Sequence, residues 1–272
     1  TYYPTLTIAG SDSSGGAGIQ ADIKTMSAIG CYAMSAITSV TAQNTTGVRS
    51  IMPVSPGVMT DQIDMVMTDI PPLAVKIGML CNAEVAAAVA DRLEHYRPEN
   101  LIIDPVMVST SGSMLLEEDA IEILVSRIFP LATLVTPNRM ETEKLAGSSD
   151  TAEQIEALRK FGCKNILIKG GDSDSTDFKT DTLYLGATGE TIELKADAVD
   201  TKNSHGTGCT LSSAIASYLA LGYSLTEAVR MAKLYVTRAL EAGAWISTGH
   251  GLGPVNHFFS PRRLKNFNPK SR

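Results

Sequence analysis

Short apolar runs alternate along this chain with longer stretches in which apolar residues recur every three or four positions. The runs Leu6–Ala9, Met34–Thr41, Ala74–Ile77, Leu101–Asp104, Leu134–Thr136 and Asn165–Lys169 read as buried strands. Helical spacing covers Ile19–Ile29, Val58–Thr68, Ala83–Tyr96, Ala120–Ile128, Met140–Ala146, Ala152–Phe161, Thr210–Leu221 and Leu225–Ala242. Strand and helix in alternation, joined by short connections, predict an α/β fold: a mostly parallel sheet with helices on both faces. Thr182–Leu185 and Thr191–Leu194 flank Gly186-Ala187-Thr188-Gly189 and predict an antiparallel hairpin at one edge. The polar segment Gly170–Thr180 before it reads as a mobile loop. No linker or repeat divides the chain, so the expectation is one domain over 1–260. The basic tail 261–272 (Arg262, Arg263, Lys265, Lys270, Arg272) is expected to be solvated and frayed.

A chain of 272 residues is long enough to bury a full α/β core. Its net charge of −6 argues against a general nucleic-acid surface, and no apolar run is long enough to span a membrane. The four cysteines, Cys31, Cys81, Cys163 and Cys209, form no C-x-x-C pair. With no secretory signal, the expectation is reduced thiols in a cytoplasm.

The densest chemistry lies at Asn203-Ser204-His205-Gly206-Thr207-Gly208-Cys209-Thr210, directly before an apolar helix. Two glycines let the backbone turn tightly, so that successive N–H groups converge where the helix dipole is positive; such a turn holds an anion. Cys209 sits at the same point, where a helix N-terminus lowers a thiol pKa and equips it as base or nucleophile. The alternative is a capped helix with a small buried cysteine. Near the N-terminus, a strand runs into Gly10-Ser11-Asp12-Ser13-Ser14-Gly15-Gly16-Ala17-Gly18 and then a helix. Gly16–Ala21 fits the dinucleotide pattern G-x-G-x-x-A. The ribose-binding acid that should follow about twenty residues on is missing, since no Asp or Glu lies between Asp22 and Asp61. A nicotinamide site is therefore rejected, and no P-loop motif occurs.

In open α/β sheets, ligands bind beyond the carboxyl ends of the strands. Those ends carry Gly10–Asp12, Gln43-Asn44, Lys76–Met79, Asp104–Met107, Thr136–Asn138 with Glu141, and Lys169–Gly171. Asp104 and Glu141 are carboxylates of the kind that hold Mg2+. Lys169 is a point charge suited to phosphate, and Gly206–Cys209 is an anion hole. Those are the parts phosphoryl transfer needs, with Cys209 taking the proton of an attacking hydroxyl. Each has a bland alternative: a turn cap for Asp104, a first-turn acid for Glu141, a solvated strand end for Lys169. Met79, Val106 and Met107 offer an apolar wall for a flat ring, or core packing. Gln43 can donate and accept in one plane, as an aminopyrimidine edge requires, or bond only backbone. His205 either touches phosphate or fixes the turn. Trp245, His250 and His257 are read as structural.

From about Leu6 to Phe258 the chain resembles the ribokinase-like superfamily. Within it, the chain is similar to the hydroxymethylpyrimidine/phosphomethylpyrimidine kinases of thiamine biosynthesis. The resemblance rests on Ala9–Asp22, Ala42–Thr45, Lys76–Leu80, Asp104–Met107, Thr136–Asn138 with Glu141, Lys169–Gly171 and His205–Thr210. It implies a three-layer αβα sandwich, ATP and Mg2+ as cofactors, and a homodimer. It places Cys209 at the position of the superfamily's base, with Gly206, Thr207 and Gly208 forming the anion hole. Lys169 would reach the transferred phosphate. Asn138 and Glu141 support Mg2+ and phosphate, with Gly170, Gly171 and Thr207 on the nucleotide side and Asp104 and Glu141 at the metal. Gln43, Gly10, Met79, Val106 and Asp22 would form the pyrimidine side. The implied activity is phosphorylation of 4-amino-5-hydroxymethyl-2-methylpyrimidine and then of its monophosphate. Pyridoxal kinase, alone or as a second activity, is the nearest alternative, and a non-catalytic pyrimidine-binding protein is a more distant one.

Overall fold

In a computed structural model, residues 1–107, 116–171 and 177–268 are described. Eight strands form the central sheet, in the order β10-β9-β8-β7-β6-β5-β1-β2. They are β1 (Pro4–Ala9), β2 (Tyr32–Ile37), β5 (Ala74–Ile77), β6 (Leu101–Ile103), β7 (Leu134–Val135), β8 (Asn165–Ile168), β9 (Phe178–Leu185) and β10 (Glu190–Asp197). From β2 to β8 all neighbours are parallel, whereas β9 and β10 form an antiparallel edge hairpin.

The period of two along each strand sorts side chains between two helical layers. Leu6, Ile8, Val75, Ile77, Leu101, Ile103 and Ile166 meet α2 (Pro56–Asp69), α3 (Ala83–Tyr96), α4 (Glu118–Ile123) and α6 (Thr151–Lys160) on one face. Ala74, Ile102, Leu134, Leu167 and Leu183 meet α1 (Gly18–Ile29), α7 (Thr207–Ala220) and α8 (Leu225–Gly243) on the other. The fold is the expected ribokinase-like αβα sandwich. Helix α4 runs into a π turn over Leu124–Ile128, where the sequence reads as one regular helix. The short α5 (Arg139–Ala146) follows β7 directly.

Four expectations are revised. Met34–Thr41 is not one strand: the chain breaks at Thr38, whose N–H bonds the Ala9 carbonyl. It then starts β3 (Ser39–Asn44), which pairs with β4 (Gly47–Pro53) in a separate two-stranded antiparallel sheet. Both halves favour extended backbone, so only their different partners reveal the break. The tail is docked through residue 268: Arg262 N–H bonds the Ala28 carbonyl, Lys265 N–H bonds Gly30, and Phe267 N–H bonds Thr1. The loop read over Gly170–Thr180 has its last residues inside β9, and 172–176 lie outside the described residues. Trp245, read as structural, is 88 % exposed.

Candidate active site

Strand order reverses beside β1, which has β2 on one side and β5 on the other. Chains leave such a switch point in opposite directions and open a crevice at the strand ends. Here it is a cleft of about 680 Å3 that reaches from Gly10 and Gln43 to Asn138 and Lys144. It is lined by Gly10, Gln43, Lys76, Met79, Asp104, Val106, Met107, Asn138, Glu141, Lys169 and the whole Gly206–Cys209 turn. The strand ends selected from the sequence therefore do converge.

One end of the cleft is apolar and flat. Gly10 packs against Met79 so closely that a Cβ there would collide with the Met79 methyl. Gln43 reaches this end because β3 carries a register shift between Ala42 and Gln43; such a bulge re-aims a side chain. The Ser13 hydroxyl accepts from the Gln43 N–H at 2.8 Å and donates to its carbonyl at 2.7 Å, fixing the backbone. Among the described residues the carboxamide meets only the Thr41 hydroxyl, at 3.3 Å.

The other end is charged. Lys169 Nζ donates to Asp104 Oδ1 at 2.6 Å. Burial works against the Lys169 charge, but Asp104 and Glu141 outweigh it and hold its pKa above the usual lysine value. Asn138 caps α5 with its side chain on the Glu141 N–H at 2.8 Å, while Glu141 Oε2 accepts from the Asn138 N–H at 2.8 Å. This reciprocal capping box explains the N-x-x-E spacing. Burial raises the Glu141 carboxyl to about 7; Lys169 opposes the rise and Asp104 adds to it. A carboxyl held up in this way marks a place short of positive charge. Two oxygen-donor carboxylates on an open wall suit Mg2+, which takes one or two from protein and the rest from phosphate and water. Among the described residues no group of three or more His, Cys, Asp or Glu could hold a metal, so any ion here depends on such shared ligation.

At the start of α7 Gly206 alone makes the turn, Gly208 lies inside the helix, and the Thr207 N–H bonds the Ser204 carbonyl at 3.2 Å. Gly206 sits at φ 82°, where a Cβ would collide with the Gly16 carbonyl. Gly208 lies against the Asp104–Lys169 pair, 3.3 Å from Lys169 Nζ at its Cβ position. The expected pKa of Cys209 is corrected. Burial pushes its thiol up to about 11, Asp22 and Asp104 adding to the rise and Lys76 opposing it. Desolvation and the two nearby carboxylates outweigh the helix dipole, although the half-buried thiol still lines the cleft.

Three further positions differ from expectation. Asp22 does not line the cleft. It is fully buried, ion-paired with Lys76 at 2.8 Å and bonded by the hydroxyls of Thr7 and Ser213 at 2.6 Å each. Gly170 and Gly171 do not line it either: Gly170 N–H bonds Asp181 Oδ1, and its Cα faces the Thr180 carbonyl too closely for any side chain. Sequence reasoning placed Lys76 and Asp12 on the rim but gave neither a role. Lys76 is fully buried on the cleft floor, and Asp22 outweighs burial to keep it charged. Lys76 shows in the sequence as a charge inside an apolar strand, a signal for a paired buried lysine.

Comparison with known proteins assigns the chain to a family. The family profile described as phosphomethylpyrimidine kinase matches residues 12–256. The chain belongs to this family. A hydroxymethylpyrimidine/phosphomethylpyrimidine kinase of Rhizobium meliloti is 46 % identical over 93 % of this chain and 96 % of the relative. A thiamine biosynthesis bifunctional protein of Geobacter sulfurreducens is 45 % identical over 96 % of this chain, which spans only 53 % of that longer protein. Among solved structures, a pyridoxal kinase of Staphylococcus aureus in complex with an ATP analogue, AMP-PCP, and pyridoxal superposes with TM-score 0.85. It is 32 % identical, covering 95 % of this chain and 94 % of its own.

Proposed function

We propose that this chain is an ATP-dependent kinase that phosphorylates 4-amino-5-hydroxymethyl-2-methylpyrimidine and then converts the monophosphate to the diphosphate. One observation carries the reading: a planar-amide, methionine-walled end and a phosphate-type turn face each other within a single cleft. Gln43 reads the ring edge with one donor and one acceptor, and Met79 and Val106 pack on the ring faces. The amides of Gly206–Cys209 and the Lys169 ammonium balance the charge of the transferred phosphoryl group, and holding these groups in place supplies most of the catalysis. Mg2+ would be held by Asp104 and Glu141 and, when bound, neutralises phosphate charge. Asn138 orients Glu141 through the capping box.

Cys209 is a thiol at rest, so accepting the proton of the hydroxymethyl group requires it to ionise first. The second acceptor is a phosphate that is already anionic and needs no base. Cys209→Ala should therefore reduce the first step by about 100-fold or more and the second step much less; equal losses in both steps would remove the base from the mechanism. In the wild type, kcat/KM for the first step should climb as pH rises toward 9, and the variant should lose that climb.

The reading extends to a homodimer, supported by exposed Val40, Met52, Val58 and Met65 on the β3–β4 hairpin and on α2; light scattering tests it. It extends also to a reducing, cytoplasmic setting, supported by four free cysteines. No described helix is long and apolar enough to cross a membrane. The deciding experiment supplies MgATP with the pyrimidine, with pyridoxal, or with no acceptor, and identifies products by mass. Pyrimidine mono- and diphosphate support the proposal, whereas pyridoxal phosphate as the main product replaces it with pyridoxal kinase.

A further inference from the structure

The two glycine-rich walls of the cleft are separate in sequence. One follows β1 and carries Gly10, Ala17 and Gly18; the other opens α7 and carries Gly206–Cys209. A phosphoryl acceptor rests on the first and the phosphate on the second, so their relative position sets the distance across which transfer occurs. Asp12 and His205 stand where they meet. Asp12 is 1 % exposed and His205 is 6 % exposed, and His205 Nε2 lies 2.8 Å from Asp12 Oδ2. The same oxygen accepts from the N–H groups of Gly16 at 3.1 Å and Ala17 at 2.8 Å. Oδ1 accepts from the N–H and hydroxyl of Ser14 at 2.9 and 2.7 Å. One carboxylate therefore gathers the whole loop and reaches across to the facing turn.

His205 is held equally well from its own side. Its N–H bonds the Gly253 carbonyl at 3.0 Å, and its ring lies flush on Gly16, where a Cβ would come within 2.5 Å of Cδ2. The next residue, Gly206, lies so close to Gly16 that a Cβ there would collide with the Gly16 carbonyl. Burial acts to raise the Asp12 pKa, yet His205, Ser14 and Ala17 together hold it well below the ordinary carboxylate range. The carboxylate stays an acceptor at every working pH, and with Nε2 as the donor the tie is a charge-assisted hydrogen bond.

We propose that the Asp12–His205 hydrogen bond is a positioning tie that sets the acceptor wall of the cleft in register with the phosphate-holding turn. Neither side chain takes a proton from the substrate. The tie acts through Ala17 and Gly18 on one side and Gly206–Cys209 on the other. Misplacing reacting groups by about 1 Å costs on the order of 100-fold in rate, while binding of each substrate to its own wall is little changed. This rests on the kinase reading above.

The test compares wild type with His205→Ala, His205→Gln and Asp12→Asn, measuring kcat and each KM for MgATP and acceptor. Circular dichroism and melting establish the folded fraction of each variant. Expected for His205→Ala is a fall in kcat of about 100-fold, with both KM values within about threefold. His205→Gln, whose amide nitrogen occupies the Nε2 position, should recover kcat to within about tenfold of wild type. If Asp12→Asn folds poorly, the His205 pair still decides. A folded His205→Ala protein with wild-type kcat overturns the proposal, as does a loss carried wholly by KM or a glutamine variant no better than alanine. The variants are assayed with whichever acceptor the wild type uses. A wild type that prefers pyridoxal would therefore refute the substrate reading and leave the tie to be judged on its own split.

Discussion

At the scale of single residues, burial decides more than local sequence does. Cys209 shows this for the thiol, and His257 shows it for an imidazole. His257 is 4 % exposed, and its Nε2 has no hydrogen-bond partner among the described residues. Burial lowers its pKa from 6.5 to about 4, with the charges of Lys24 and His205 adding to the shift. The unfolded chain therefore binds this proton more readily, and the group's contribution to stability is present above pH 6.5 and fades as pH falls toward 4. From pH 7.5 to pH 5 the loss through this residue is about 2 kcal/mol. Urea titrations at the two pH values should show His257→Gln losing less stability on acidification than wild type by about that amount; equal losses would mean that His257 is not held neutral. Gln43→Leu tests specificity at the same scale. Leaving the ring edge unpaired should raise the pyrimidine KM by roughly tenfold or more with ATP KM unchanged, and an unaltered pyrimidine KM would show that Gln43 does not read the ring.

Among elements, the helix ends carry the chemistry. The N-terminus of α7 could be seen in the sequence because Gly206 and Gly208 flank Thr207 before an apolar run. The reason Gly206 must be glycine could not be seen: it is the carbonyl of Gly16, 190 positions away in the chain. Gly206→Ala combines positive φ with a backbone collision, so it should destabilise the fold by more than about 1 kcal/mol and remove activity, read by melting temperature and turnover. At α5 the capping box was hidden inside what the sequence presents as a metal motif. Asn138→Ala should cost about 1 kcal/mol of stability and also slow transfer, since it frees Glu141. The β3–β4 hairpin was missed because its strands pair only with each other, yet its bulge brings Gln43 to the cleft.

For the whole molecule, the docked C-terminal segment joins parts distant in sequence. Residues 262–267 bond the end of α1 and the first residue of the chain. Basic residues suggest solvent, but these pair through backbone, which carries no sequence signal. Truncation after Ser260 should lower the melting temperature by several degrees while leaving kcat within about twofold, because none of the segment lines the cleft. A truncated protein as stable as the full chain would show that the docking adds nothing.

Apolar runs determined the sheet core, helical spacing both helical layers and a glycine-flanked turn the edge hairpin, because burial and turn geometry are written directly in the residues. Motif spacing determined the strand ends that form the cleft, since a parallel sheet places all its carboxyl ends on one rim. Tertiary structure decided what depends on neighbours remote in the chain. Asp22 became the partner of Lys76 instead of a cleft residue. Cys209 became a high-pKa thiol because burial and the carboxylates of Asp22 and Asp104 act on it together. Asp12 met His205 across 193 positions. Desolvation and long-range hydrogen bonds are properties of what surrounds a group, and the order of residues records that surrounding only after the chain has folded.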